Sequence, residues 1–170
     1  QRQMCIRDRD ITVKKEKVYD ENKVKIWVLD YDTESDELNF KVKNNSGKTL
    51  GFYAHAYAIN GVMTGNNVID MDFDVAKGKT VTQELIIDNM WLYEMSVHEI
   101  KCIDILFCAY DNDKVFDTGQ IRVKTSAYDS TSSKEYGKEI YNSRGIRVEY
   151  LDRYKDYYKF ALINDSGKYI

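Results

Sequence analysis

The chain has 170 residues, 43% of them hydrophobic, and a formal net charge of −3. A hydrophobic fraction of this size is enough to form a buried core. No apolar run approaches the ~20 residues of a membrane-spanning helix, which excludes such a helix in the sequence. The mild charge is spread along the chain and offers no basic face, so nucleic acid is not expected as a partner.

The N-terminal residues do not fit the pattern of the rest. Gln1 to Arg9 reads Gln-Arg-Gln-Met-Cys-Ile-Arg-Asp-Arg, which resembles a translated sequencing-adapter peptide, and nothing in it has the pattern of a signal peptide. We therefore leave it out of the fold prediction. On this interpretation the natural start is missing, and any export signal with it.

From Ile11 onward, apolar residues alternate in short runs separated by turn residues, which predicts an all-β fold. Asn60-Gly61 suits a tight hairpin turn, and the glycine-bearing segments 45–48 and 77–79 predict further turns. The predicted strands cover residues 11–19, 24–31, 37–43, 50–59, 68–75, 80–87, 103–110 and 116–124.

One segment between these strands departs from the alternation. Asp88 is a suitable N-cap for a short helix over 89–95 that places Trp91 and Met95 on one face. The next strand should be central, with Ile103, Ile105, Phe107 and Ala109 on one side and with Phe40 and Val42 as core partners.

Cys102 and Cys108 lie six residues apart in the same predicted strand, which is too far for a disulfide. No further Cys or His completes a zinc-binding set around them. We therefore expect two small buried side chains and no cofactor.

An internal repeat sets the predicted domain boundaries. Val18-Tyr19 recurs as Ile140-Tyr141, and Phe40 recurs as Phe160. Val24 and Ile26 recur as Ile146 and Val148, and the turn sequence of residues 44–48 recurs at 164–168. We predict a non-native segment 1–9, an immunoglobulin-like β-sandwich over 10–125, a linker over 126–137 and, over 138–170, the first strands of a second, incomplete copy.

Five motifs carry a resemblance to a known family: Val24-Lys25-Ile26, residues 40–46, Ala58-Ile59-Asn60-Gly61, residues 75–79 and residues 100–107. Together they resemble the tandem immunoglobulin-like modules, classed as domains of unknown function, of lipoproteins and surface proteins from Gram-positive gut bacteria. The resemblance covers about residues 16 to 125 and restarts in the second copy. It implies a location at the cell envelope or outside the cell, with an anchor upstream.

Two sets of side chains are the candidate sites. Asp70, Asp72 and Asp74 alternate along a predicted strand and place three carboxylates on one face, where a divalent cation would find oxygen ligands. A solvated outer face is the stronger interpretation, because the glycine and distal acid of a calcium loop are missing.

The second set is Tyr53, His55 and Tyr57, which alternate in a predicted strand and are the weak candidates for sugar stacking. Tyrosine is also simply a good strand residue. His98 lies elsewhere in the sequence, and two scattered histidines are weak support for a catalytic or zinc site.

The sequence thus predicts a non-enzymatic repeat module of a bacterial surface or secreted protein, acting as a spacer or as a protein-interaction unit. The alternative is a carbohydrate-binding module attached to a secreted hydrolase outside these residues. A flat row of exposed aromatic rings would favour the alternative. The expected partner is an unidentified protein or glycan at the cell surface.

Overall fold

The computed structural model describes residues 11–63, 69–88, 92, 97, 99–129, 137–154, 157–164 and 166. These residues form an all-β fold, as predicted, in which every strand pairing is antiparallel. The strands are β1 (Glu16–Glu21), β2 (Val24–Asp32), β3 (Glu37–Asn44), β4 (Leu50–Ile59), β5 (Val62–Met63), β6 (Ile69–Asp70), β7 (Asp72–Val75), β8 (Thr80–Ile87), β9 (Cys102–Asp111), β10 (Asp113–Asp117), β11 (Ile121–Lys124), β12 (Lys138–Ser143), β13 (Ile146–Tyr154) and β14 (Tyr157–Asn164).

Two sheets enclose the main core. One has five strands in the order β1-β2-β3-β8-β6, and the other has the order β10-β9-β4-β5-β14-β13-β12, with β11 added beside β9 and β7 beside β4. Phe40 of the first sheet meets Phe107 of the second edge to face, with ring centroids 5.5 Å apart. Both rings are fully buried, so the predicted core partnership between these two strands is confirmed.

The predicted central strand is also confirmed, because residues 102–109 are all buried. Side chains alternate across a strand, so β9 is covered on both faces. Cys102 and Cys108 are buried free thiols on this strand. Burial is the main reason that the pKa of Cys102 is raised.

Three predicted strands differ from the observed strands by a division or by more than one residue at an end. The first begins at Glu16 rather than at residue 11. The segment 68–75 is divided at Met71, because β6 pairs with β8 in one sheet while β7 pairs with β4 in the other. The segment 116–124 is divided because Thr118 bonds Phe107 through its own backbone N and its hydroxyl, and Gly119 follows with a φ of 74°.

The predicted helix over 89–95 lies outside the described residues except for Leu92. The Leu92 N–H donates to the Asp88 carbonyl at 3.2 Å, and no helix is among the elements of the described residues. By contrast, Asn60-Gly61 forms the predicted hairpin turn, with φ angles of 55° and 81°.

Strands β12–β14 have the same pairing as β1–β3. Tyr19 pairs with Ile26 and Ile26 with Val42, and Tyr141 pairs with Val148 and Val148 with Leu162. Each set has two register shifts at matching positions. They lie at residues 17–19 and 28–30 in the first set, and at residues 139–141 and 150–152 in the second.

The turns also match. The β1–β2 turn has positive φ at Asn22 and Lys23, and the β12–β13 turn has it at Arg144 and Gly145. After β3, the Asn44 carboxamide oxygen accepts from the backbone N and hydroxyl of Ser46. Asn164 and Ser166 repeat both bonds after β14.

Candidate functional site

The strand β4 carries the predicted aromatic site, but only part of it lies on one face. Tyr53 is half-buried and His55 is exposed, whereas Tyr57 is buried in the core. A register shift between Ala54 and Ala56 leaves His55 as an extra residue in the pairing with β9. Such a bulge reverses the alternation that follows it, so the prediction that Tyr57 shares the face of Tyr53 is wrong.

A neighbouring tyrosine takes the place of Tyr57 at this surface. Tyr110 of β9 lies 5.8 Å from Tyr53 between ring centroids, and its hydroxyl donates to Asp72 at 2.9 Å. We call Tyr53, His55 and Tyr110 the aromatic patch. Sequence reasoning missed Tyr110, because its partners lie far away along the chain.

Gly51 explains why the Tyr110 ring can lie flat across β4. The two residues are paired between the strands, and a Cβ on Gly51 would lie 2.2 Å from the Tyr110 ring. Only glycine leaves room for this ring position. The hydrogen bond to Asp72 is the main reason that the pKa of Tyr110 is raised.

Polar groups border the aromatic patch. Hydrogen bonding with the buried Cys108 thiol is the main reason that the pKa of Tyr53 is raised. Asp117 of β10 accepts from the Lys114 ammonium at 2.9 Å, and this bond is the main reason that the pKa of Asp117 is lowered. The patch is therefore a mixed polar and aromatic surface.

The ring orientations decide what this patch can bind. The Tyr53 ring is inclined by 81° to His55 and by 54° to Tyr110. A sugar ring stacks parallel to an aromatic face, so one flat ligand cannot stack on all three rings together. The patch is not the flat row of aromatic residues that a carbohydrate platform requires.

The three predicted carboxylates do not lie on one strand. Asp70 ends β6 in the five-stranded sheet, whereas Asp72 and Asp74 belong to β7 in the other sheet. Asp72 and Asp74 are exposed, and the side chain of Asp70 lies outside the described residues. Within the described part of the chain, no three His, Cys, Asp or Glu side chains are grouped as a metal site. His98 also lies outside that part.

A second surface stands out on β12–β14. Tyr141, Phe160 and Leu162 are 52%, 54% and 42% exposed, and the cross-strand pairing puts them on one face with Val148 and Tyr150. We call these five residues the C-terminal face. Sequence reasoning identified Tyr141 and Phe160 as repeat positions but did not predict their exposure.

The opposite face is buried in part, on β13 and β14, whereas all residues of β12 are exposed. Ala161, Ile163 and Glu149 are buried, and Glu149 forms an ion pair with Arg147 while accepting from the Gly137 backbone N at 3.0 Å. Strand β14 joins the rest of the sheet through the pairing of Ile163 with Val62 of β5.

Residues 12–13 and 125–126 lie side by side. Val13 forms an antiparallel bridge with Thr125. The Ser126 N–H donates to the Thr12 carbonyl at 2.7 Å, and the Thr12 N–H donates to the Ser126 hydroxyl at 3.1 Å. The two ends of residues 12–126 are therefore about one strand spacing apart, roughly 5 Å.

Comparison with known proteins identified no relative of this chain. No family model, no curated protein and no solved structure matches the chain. Among the described residues, no helix has the length and apolar character needed to cross a membrane.

Proposed function

We propose that the chain consists of immunoglobulin-like β-sandwich repeats and acts as a non-enzymatic protein-interaction module of a bacterial cell-surface or secreted protein. The first repeat covers residues 10–125 and the second begins at residue 138. The shared pairing, bulges and turns of β1–β3 and β12–β14 support the repeat. Two packed antiparallel sheets of short strands support the sandwich.

The short distance between Thr12 and Ser126 is the observation that favours a protein-interaction unit over a spacer. A spacer lengthens a protein by the distance between the two ends of each unit, and here that distance is about one strand spacing, roughly 5 Å. A series of such units would add bulk at the side of the chain and little length. A unit of this kind suits the display of a binding surface, so we favour interaction over spacing.

A carbohydrate-binding module is the second candidate, and the aromatic patch is the observation that supports it. Tyr53 and Tyr110 are half-buried rings with polar tips, a combination that suits wet binding surfaces. Their inclination by 54° limits stacking to one ring at a time. We therefore rank this role below protein binding.

Binding of the full chain to arrayed extracellular proteins and to arrayed glycans tests both roles. We expect saturable binding to a protein that persists in the double variant Tyr53→Ala/Tyr110→Ala. Glycan binding that this double variant abolishes, and that the matched variant Tyr158→Ala retains, would overturn the protein-interaction role in favour of the second candidate.

A further inference from the structure

The C-terminal face is a row of large apolar side chains on one side of strands β12–β14. Phe160, Tyr141 and Leu162 are each about half exposed, and Tyr150 lies between Phe160 and Tyr158, with ring centroids 5.9 Å and 6.3 Å away. Singly scattered apolar residues on a surface are ordinary, but a contiguous apolar row marks a surface that binds something.

The equivalent residues of β1–β3 show what such a face packs against. Phe40 is 0%, Val42 1% and Tyr19 8% exposed. Phe40 packs on Phe107 of β9, and Tyr19 stacks on Phe116 of β10 with ring centroids 6.0 Å apart. In the first unit the cover is thus a second sheet.

The opposite face of β14 also differs from that of β3, because it is apolar and buried. In the first unit the outward positions of β3 are the lysines Lys41 and Lys43, and Lys41 lies over the Trp27 ring at 4.7 Å. Ala161 and Ile163 hold the equivalent positions in β14 and are already buried. Strands with two apolar faces are typical of sheets that are covered on both sides.

We propose that the C-terminal face is the inner surface of a second sandwich, and that its occupant is a sheet of the β4–β9 type that continues the repeat beyond Ile170. This inference rests on the repeat in the proposed function and adds the partner of its second copy. The partner sheet must differ in two respects from that of the first unit. Tyr150 and Tyr158 stand where the first unit has Val28 and Leu38, so the side chains opposite them must be smaller. Arg153 stands where the first unit has the buried Tyr31 and lies over the Tyr158 ring, so the partner sheet must also accommodate a charged side chain there.

A direct test uses the full chain and an extended chain. In the extended chain, a second copy of residues 49–129 follows Lys168, just as Thr49 follows Lys48 in the first unit. A further version carries Tyr150→Val, Arg153→Tyr and Tyr158→Leu, and these changes match the inner face to that of β1–β3. The readouts are the fluorescence of a dye that binds apolar surface, the sedimentation mass and chemical unfolding.

We expect the full chain to bind the dye, and Phe160→Ser to reduce this binding several-fold. Ile86→Ser is the matched control, because Ile86 on β8 is also 54% exposed but lies outside the C-terminal face. The matched extended chain should lose the dye binding. Phe160→Ala should then lower its unfolding midpoint, whereas the same change should leave the midpoint of the full chain unaltered.

Two results would overturn the proposal. One is a matched extended chain that still binds the dye and is insensitive to Phe160→Ala. The other is a dimer, formed by the full chain and by the extended chain alike, that Phe160→Lys dissociates and Ile86→Lys does not, since the occupant would then be a second copy. Neither result affects ligand binding by the first unit, which is measured separately on the arrays.

Discussion

Asn44 links three segments of the first unit through one buried carboxamide. Its amide nitrogen donates to the carbonyls of Lys48 at 2.7 Å and Val75 at 2.8 Å, and its oxygen accepts from Ser46. We expect Asn44→Ala to lower the free energy of unfolding by about 2–3 kcal/mol, because the buried Val75 carbonyl loses this partner. Urea denaturation measures the loss.

Asn39→Ala is the matched control for this prediction. Asn39 also donates from its amide, to Asp30 at 2.8 Å, but at the surface. The control should cost at most about 0.5 kcal/mol. Equal losses in the two variants would show that burial of Asn44 contributes nothing.

Tyr31 makes stability depend on alkaline pH. Burial is the main cause that raises its pKa well above the ordinary value near 10, and the charge of Asp36 raises it further. Above about pH 10 the unfolded chain loses this proton while the folded chain keeps it, so stability falls as pH rises. Below pH 10 this contribution is fully present.

We therefore expect the unfolding free energy of Tyr31→Phe to decrease less steeply between pH 10 and 12 than that of the unaltered chain. Denaturation at a series of pH values measures the difference. Tyr158→Phe, at a residue that is 58% exposed, should follow the unaltered chain. Parallel curves for all three proteins would contradict the assignment to Tyr31.

The backbone turn at Asn60 was predictable from the sequence, but the hydrogen bonds of its side chain were not. Asn60-Gly61 predicted a hairpin turn from conformational preference alone, and the turn is present. The Asn60 side chain also donates to the Glu99 carbonyl at 2.7 Å and accepts from the backbone N of Lys101 at 2.7 Å. These partners are distant in the sequence, so local pattern contains no information about them.

At the scale of single elements, the two equivalent turns differ by one informative residue. The β1–β2 turn holds Lys23 at a φ of 59°, where the β12–β13 turn has Gly145. A left-handed conformation costs a non-glycine residue about 1–2 kcal/mol. We expect Lys23→Gly to stabilise the first unit by about 1 kcal/mol in urea denaturation. Lys25→Gly, within β2, should destabilise it.

The close approach of β4 and β9 gives a prediction for the aromatic patch. Gly51→Ala should displace the Tyr110 ring and reduce stability by about 1–3 kcal/mol. It should also bring the Tyr110 titration nearer the ordinary tyrosine value, since the bond to Asp72 raises that pKa. Adding Tyr110→Ala removes the clash, so the double variant should lose less than the sum of the two single losses.

Most strands were predictable because each alternates apolar and polar residues between turn-forming residues. Both ends of strand β4 agree with the prediction. The bulge at His55 was not predictable, because it depends on pairing with β9, and it moved Tyr57 from the patch to the core. The division at Met71 has the same origin, since only the partner strands determine which sheet a segment joins.

At the scale of the whole molecule, the position of the ends of the first unit separates an interaction module from a spacer. Joining them with a disulfide tests that position directly. We expect Thr12→Cys/Ser126→Cys to oxidise within one chain, because the Ser126 N–H donates to the Thr12 carbonyl beside the Val13–Thr125 bridge and holds the two residues side by side. The buried thiols Cys102 and Cys108 should not compete, and Cys5→Ser in the background removes the remaining thiol.

The disulfide would close a loop of more than 100 residues, for which chain entropy predicts a stabilisation of up to about 4.7 kcal/mol. Urea denaturation with and without reductant measures the gain, and the two single-cysteine variants are the controls. If only disulfide-linked dimers formed, and no disulfide within one chain, residues 12 and 126 would not lie side by side. Each unit would then add its own length to a tandem chain, and the spacer role would replace the interaction role.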